Sequence, residues 1–182
     1  MSLPNKLISL DNTVFSCLYR DEEPQSTDPG YRVFKDCETL MAGLVKQDYK
    51  IIIPTVVLAE SYCVFDEAKQ NKCFNDLKSF GLIMVDFTET TSRILARLLH
   101  RQYASRGYQG KNIAKAQMKY DMFILASAIE NGCDCFYTTD SDFDIYNEVE
   151  ITIKKPPNLP PSYQAGTLFE GIISPASSKL PF

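Results

Sequence analysis

Apolar residues along this chain keep two rhythms. Residues 6–10, 51–53, 82–86 and 133–138 form short apolar runs bounded by turn-forming residues, the pattern of strands, with 51–53 short and apolar enough to be buried. Between them apolar positions recur every three or four residues, the pattern of helices with one covered face. Helices are predicted over 14–18, over 31–48 with Phe34, Leu40, Leu44 and Val45 as the buried stripe, and over 71–80. Another starts at Pro54-Thr55 and carries Val56, Val57, Ala59 and Cys63, small or branched residues suited to close packing on a sheet. A last strand over 149–153 alternates its apolar residues and reads as an edge. Strands alternating with helices predict an α/β fold, a parallel sheet with helices on both faces.

The chemistry concentrates in residues 119–146, KYDMFILASAIENGCDCFYTTDSDFDIY. Ile124, Leu125, Ala128 and Ile129 recur at helical spacing, so Asp121 is expected in the first turn of a helix that Asn131-Gly132 ends. The strand after it opens into Thr139, Asp140, Ser141, Asp142 and Phe143. The carboxyl edge of a parallel sheet is where ligands bind, and Asp11 closes the first strand at that edge. Glu60 stands about one and a half turns into the Pro54 helix, near the same edge.

Each acid has a plain reading when taken alone. Asp11 and Asp121 can cap helices, and Glu60 can be a surface residue. Taken together, Asp11, Glu60, Asp121 and Asp140 come from four segments that such a sheet gathers at one edge. Carboxylates that close repel one another unless they are protonated or a cation neutralises them. Oxygen donors without His or Cys suit magnesium or manganese, and a site of that kind can activate water for phosphodiester cleavage.

Charge sharpens this picture. The chain has 182 residues and a net charge of −4, yet residues 90–120 hold seven of its 19 basic residues and none of its 23 acids. Arg93, Arg97 and Arg101 are four apart and form one stripe, with Ile94, Leu95, Leu98 and Leu99 on the covered side. Arg106 follows, and Lys111, Lys115 and Lys119 repeat the spacing and lead into Asp121. Most charge runs are solvated faces, but those usually mix signs. A basic stripe beside an acidic pocket is what cutting a polyanion requires.

The remaining composition excludes other chemistries. Six scattered cysteines without a CxxC pair read as reduced core thiols, and the lone His100 is far in sequence from any Ser or Cys motif. There is no P-loop, no apolar run long enough to span a membrane, and no leader-like N-terminus, so a cytoplasmic protein is expected.

LISLDNTVF, IIIPTVVLAES and KYDMFILASAIENG with CFYTTDSDF resemble the successive motifs of PIN-domain ribonucleases, the group that includes the VapC-type bacterial toxins. The resemblance covers roughly residues 6–155, leaving 156–182 as a proline-rich tail. It implies a parallel sheet sandwiched between helices and a magnesium- or manganese-dependent endonuclease acting on single-stranded RNA. By motif, Asp11, Glu60, Asp121 and Asp140 would be the catalytic, metal-holding acids, with Asp142 a further ligand. Arg93, Arg97, Arg101, Lys115 and Lys119 would hold RNA. The partners it implies are single-stranded RNA, an antitoxin protein and a second copy of the chain. Family members usually place Ser or Thr directly after the first aspartate, whereas Asn12 and then Thr13 stand here. The alternatives are a catalytically inactive PIN-like module that binds RNA or protein, and a HAD-type phosphatase. The phosphatase would want D-x-D where Asp11-Asn12-Thr13 stands.

Overall fold

A computed structural model describes residues 6–19, 24–79, 81–106, 112–141, 143 and 149–159, with the side chains of 102–106 and 112–119 excepted. The strands are β1 (Leu7–Leu10), β2 (Lys50–Pro54), β3 (Ile83–Val85), β4 (Cys135–Tyr137) and β5 (Thr152–Lys154). Two helices stand between each of the first four: α1 (Asn12–Leu18) and α2 (Tyr31–Lys46), α3 (Thr55–Tyr62) and α4 (Glu67–Ser79), α5 (Glu89–Arg106) and α6 (Asn112–Glu130). The sheet order is β3-β2-β1-β4-β5, and every neighbouring pair is parallel.

The chain therefore builds outward from β1 in one direction and then returns to its other side. β1 and β4 flank the point where the order reverses, the position at which open α/β sheets leave a crevice. Successive strand residues face opposite sides of a sheet, yet Ile8, Ser9 and Leu10 are all buried, as are Ile51 to Ile53 and Cys135 to Tyr137. Both faces of the central strands are thus covered, which explains why they read as unbroken apolar runs.

Three helices hand over to a strand by one device. At the end of α6, Gly132 takes φ 65°, its N–H reaches Ile129 O, and the Cys133 N–H reaches Ala128 O. The ends of α2 (Asp48, φ 57°) and α4 (Gly81, φ 65°) repeat this paired bonding. It satisfies carbonyls that the helix leaves open and turns the chain into β2, β3 and β4.

Several expectations need correction. α6 starts at Asn112, so Asp121 is its tenth residue and not a first-turn residue. The segment ahead of it, NIAKAQMK, holds no Gly or Pro and two alanines, so nothing stops the helix from extending back. Val45 is 63% exposed, and Cys37 and Met41 complete the buried stripe of α2 with Phe34, Leu40 and Leu44. On α3 the buried residues are Val57, Leu58 and Ser61, while Ala59 and Cys63 are exposed. Cys63 is therefore not a core thiol, although all six cysteines are free. In each helix the apolar pattern fits more than one rotation, and packing chose the other.

The edge strand expected at 149–153 forms as β5, starting three residues later and ending one later, beside β4. The chain after β5 folds back: Leu159 lies over Gly43 of α2, where an added Cβ would meet its Cδ2 at 2.8 Å. Lys154 Nζ donates to Leu159 O at 2.9 Å and closes that turn.

Candidate active site

The centre of the site is Asp11, 4% exposed at the carboxyl end of β1. Its backbone N–H donates to Tyr137 O at 2.8 Å, extending the β1–β4 ladder by one residue and bringing Thr138 beside it. The carboxylate caps α1 by accepting the Asn12 N–H on Oδ1 at 2.7 Å. Oδ2 accepts two hydroxyls at 2.8 Å, from Thr13 and from Thr138. Each hydroxyl in turn accepts a backbone N–H at 3.0 Å: Thr139 donates to Thr13, and Asp140 to Thr138. Since both threonine protons point at Asp11, the 3.4 Å separation of the two hydroxyl oxygens is a close approach without a bond. The capping reading and the site reading of Asp11 hold together.

Burial pushes the Asp11 carboxyl above its ordinary range, against the lowering effect of the Thr13, Thr138 and Asn12 donors. Burial also raises Glu60, and the charge of Asp11 adds to that rise. The two acids therefore share one electrostatic environment, and among the described residues neither pairs with Lys or Arg. α3, which carries Glu60, packs against both α1 and α6. Asp121 is buried on α6 at 9% exposure. Asp140 is half-buried and is tied to Asp11 through the Thr138 hydroxyl. Asp142 lies outside the described residues.

Two desolvated carboxyls without a cationic side chain between them fit a bound cation, and the all-oxygen donor set suits a hard divalent one. Among the described residues no three acidic, His or Cys side chains are already grouped for metal binding.

The basic stripe is more paired than its sequence suggested. Arg93 bonds Glu89 at 2.6 Å within α5, and Arg97 reaches Glu150 at 2.7 Å, with Arg101 at 3.6 Å from the same carboxylate. Mixed signs therefore do occur on this face: Glu89 lies one residue before the acid-free segment, and Glu150 comes from beside β5. Arg97, Arg101 and Glu150 remain about half exposed. The side chains of Arg106, Lys111, Lys115 and Lys119 lie outside the described residues. α5 and α6 run antiparallel, since Thr88 and Thr91 at the start of α5 both bond the Glu130 carboxylate at the end of α6.

Sequence reasoning missed the hydroxyls around Asp11. Thr138 stood in the motifs only as the first letter of T-T-D, and Ser61 only as the last letter of IIIPTVVLAES, neither with a role; Ser61 is 1% exposed and donates to Asn12 Oδ1 at 2.6 Å. Asn12 and Thr13, the two residues that depart from the usual order, both take part in holding the site.

Among solved structures, the fold is similar to VapBC2 from Rickettsia felis, crystallised with a DNA fragment from its promoter, at 18% identity and a TM-score of 0.52 over 82% of this chain and 98% of that one. FitAcB from Neisseria gonorrhoeae is similar at 18% identity and 0.54, covering 84% and 99%. VapC20 of Mycobacterium tuberculosis, a Sarcin-Ricin loop cleaving toxin, is similar at 16% and 0.52, covering 80% and 98%. No curated protein matches in sequence. The sequence pattern of the PIN domain matches residues 35–149, a span that includes Glu60, Asp121 and Asp140 and begins after β1. That span is well over half of the chain, which therefore belongs to the PIN domain family.

Proposed function

We infer that this chain is a divalent-metal-dependent endoribonuclease that hydrolyses phosphodiester bonds in single-stranded RNA, and that it is the toxin of a toxin–antitoxin pair. The observation that carries the reading is the buried Asp11 carboxylate at the sheet's carboxyl edge, coupled to Glu60 and ringed by donors. Membership of the PIN family supports nuclease chemistry, and likeness in fold to the toxin and toxin–antitoxin structures supports the pairing. Residues 1–155 form the nuclease unit in this reading, and 156–182 a tail appended to it.

Asp11, Glu60, Asp121 and Asp140, with Asp142 as a further ligand by motif, would hold magnesium or manganese. When bound, the ion supplies an activated water and neutralises charge developing on the phosphate. The chain's own residues do the rest. Thr13 and Thr138 orient the Asp11 carboxylate by donating to it and favour its ionised form against the opposing effect of burial. The exposed parts of Arg93, Arg97 and Arg101, with Lys115 and Lys119, offer cations to RNA phosphates. Among the described residues no helix is long and apolar enough to cross a membrane, and a cytoplasmic setting suits an RNA substrate.

The direct test incubates end-labelled single-stranded RNA with pure protein, with and without manganese, beside Asp11→Asn and Asp121→Asn. Cleavage by the wild type alone, and only with metal, is expected. Cleavage that survives in both variants would place the activity in a contaminant or elsewhere on the chain.

A further inference from the structure

Two polar residues sit next to candidate acids and join their helices. Asn12 follows Asp11 at the start of α1, and Ser61 follows Glu60 in α3. The Ser61 hydroxyl donates to Asn12 Oδ1 at 2.6 Å, and the Asn12 N–H donates to Asp11 Oδ1 at 2.7 Å. Two hydrogen bonds made by Asn12, one through its side chain and one through its backbone, thus link the helix of Glu60 to the Asp11 carboxylate.

Packing gives no reason for a serine at position 61. The site is 1% exposed beside the apolar Val57 and Leu58, and alanine would fill it with better helix propensity and no buried hydroxyl. What the hydroxyl adds is rotational registration. Glu60 and Ser61 are successive residues, about 100° apart on the helix, so holding one fixes the direction of the other. A rotation of α3 by about 20° would carry a side-chain tip some 2 Å, given a helix radius of about 5–6 Å with side chains. Metal–ligand distances tolerate only about ±0.2 Å.

We propose that Ser61 and Asn12 are positioning residues whose hydrogen bond sets the rotation of α3, so that the Glu60 carboxyl meets that of Asp11 at one divalent cation. This rests on the metal-dependent reading above. Neither residue touches the cation; both act through the acids beside them.

The test is a titration of the full chain with Mn²⁺ alone, free ion being followed by electron paramagnetic resonance, with urea unfolding run alongside. Ser61→Ala and Asn12→Ala are each expected to weaken Mn²⁺ binding on the order of tenfold, the usual scale for groups that orient metal ligands. The double variant should lose no more than the larger single loss, because one bond is removed in all three. Ser61→Thr, which keeps the hydroxyl, should recover most of the affinity. A purely structural role would lower the unfolding midpoint and leave Mn²⁺ affinity at the wild-type value, and that result overturns the proposal. Single losses that multiply in the double variant overturn it as well. Should Ser61→Ala fail to fold, the partly exposed Asn12 carries the same comparison. A wild-type chain that binds no Mn²⁺ would instead overturn the metal-dependent reading, and the positioning role with it.

Discussion

Thr138 Oγ1 donates to Asp11 Oδ2 at 2.8 Å, joining residues 127 apart in sequence across the ends of β4 and β1. Thr138 is fully buried and also accepts the Asp140 N–H, so one hydroxyl serves both ends of the site. Thr138→Val keeps the shape, removes a donor from a buried carboxylate and leaves that N–H without its acceptor. A loss of about 1–3 kcal/mol in urea unfolding is expected, with Thr138→Ser close to wild type. Equal stability of the valine variant would mean that water replaces the hydroxyl.

The acids should make stability depend on pH and metal in a particular direction. Burial raises Asp11 above its ordinary 3.8 and Glu60 above 4.5, so the folded chain holds these protons more tightly than the unfolded chain. Their contribution is most favourable below those ordinary values and falls as pH rises through the raised folded ones. Asp11→Asn keeps a capping side chain and removes this term. Without metal it should be as stable as wild type or more so near pH 7, with the advantage shrinking towards about pH 4. Manganese should raise the Tm of the wild type, by the equivalent of about 2.7 kcal/mol at a hundred times Kd, and leave the variant nearly unmoved. A pH-independent difference between the two would remove Asp11 from this account.

The arginine stripe permits a two-sided test. Its ion pairs are nearly half exposed or more, so each contributes at most about 1 kcal/mol, and Gln at 93, 97 and 101 should leave unfolding nearly unchanged. If these residues hold phosphates, the triple variant should lose up to about 0.7 in log–log salt slope per contact. Glu150→Gln should act oppositely, releasing Arg97 and Arg101 and tightening RNA binding at low salt. RNA affinity unchanged in both variants would make the stripe a solvated face.

Asp48 adopts φ 57° at the turn from α2 to β2, where Gly81 and Gly132 serve the equivalent turns. A left-handed backbone costs L-residues roughly 1–2 kcal/mol, less for Asp, and glycine avoids it at an entropic cost. Asp48→Gly should therefore stabilise the chain by up to about 1 kcal/mol, read from the urea midpoint. A destabilised variant would mean that the Asp48 side chain contributes more than its backbone costs.

The central strands were legible because burial on both faces leaves an unmistakable apolar run, as at Ile51 to Ile53. Helix rotation was harder to read. Val45, Ala59 and Cys63 look like core residues by type, but only tertiary contact decides which of several stripes turns inward. The start of α6 was obscured because residues 112–120 carry no sharp apolar period of their own. Asp11 and its approach to Glu60 could be anticipated, since strand order brings them together. Their hydroxyl supports could not: Thr138 meets Asp11 across 127 residues and Ser61 meets Asn12 across 49, and a lone Ser or Thr carries no spacing that announces such a partner.

The place of β1 in the sheet also orders events in time. β1 pairs with β2 early in the chain, but its other neighbour, β4, is made only after a further 80 or so residues. At synthesis rates of about 5–20 residues per second, Asp11 leaves the ribosome on the order of ten seconds before Thr138 can reach it. The nascent chain thus carries Asp11 without the strand and the threonine that hold its carboxylate. On the proposed reading as a ribonuclease, the growing chain therefore lacks its assembled site while it is still beside the message and ribosome that are making it.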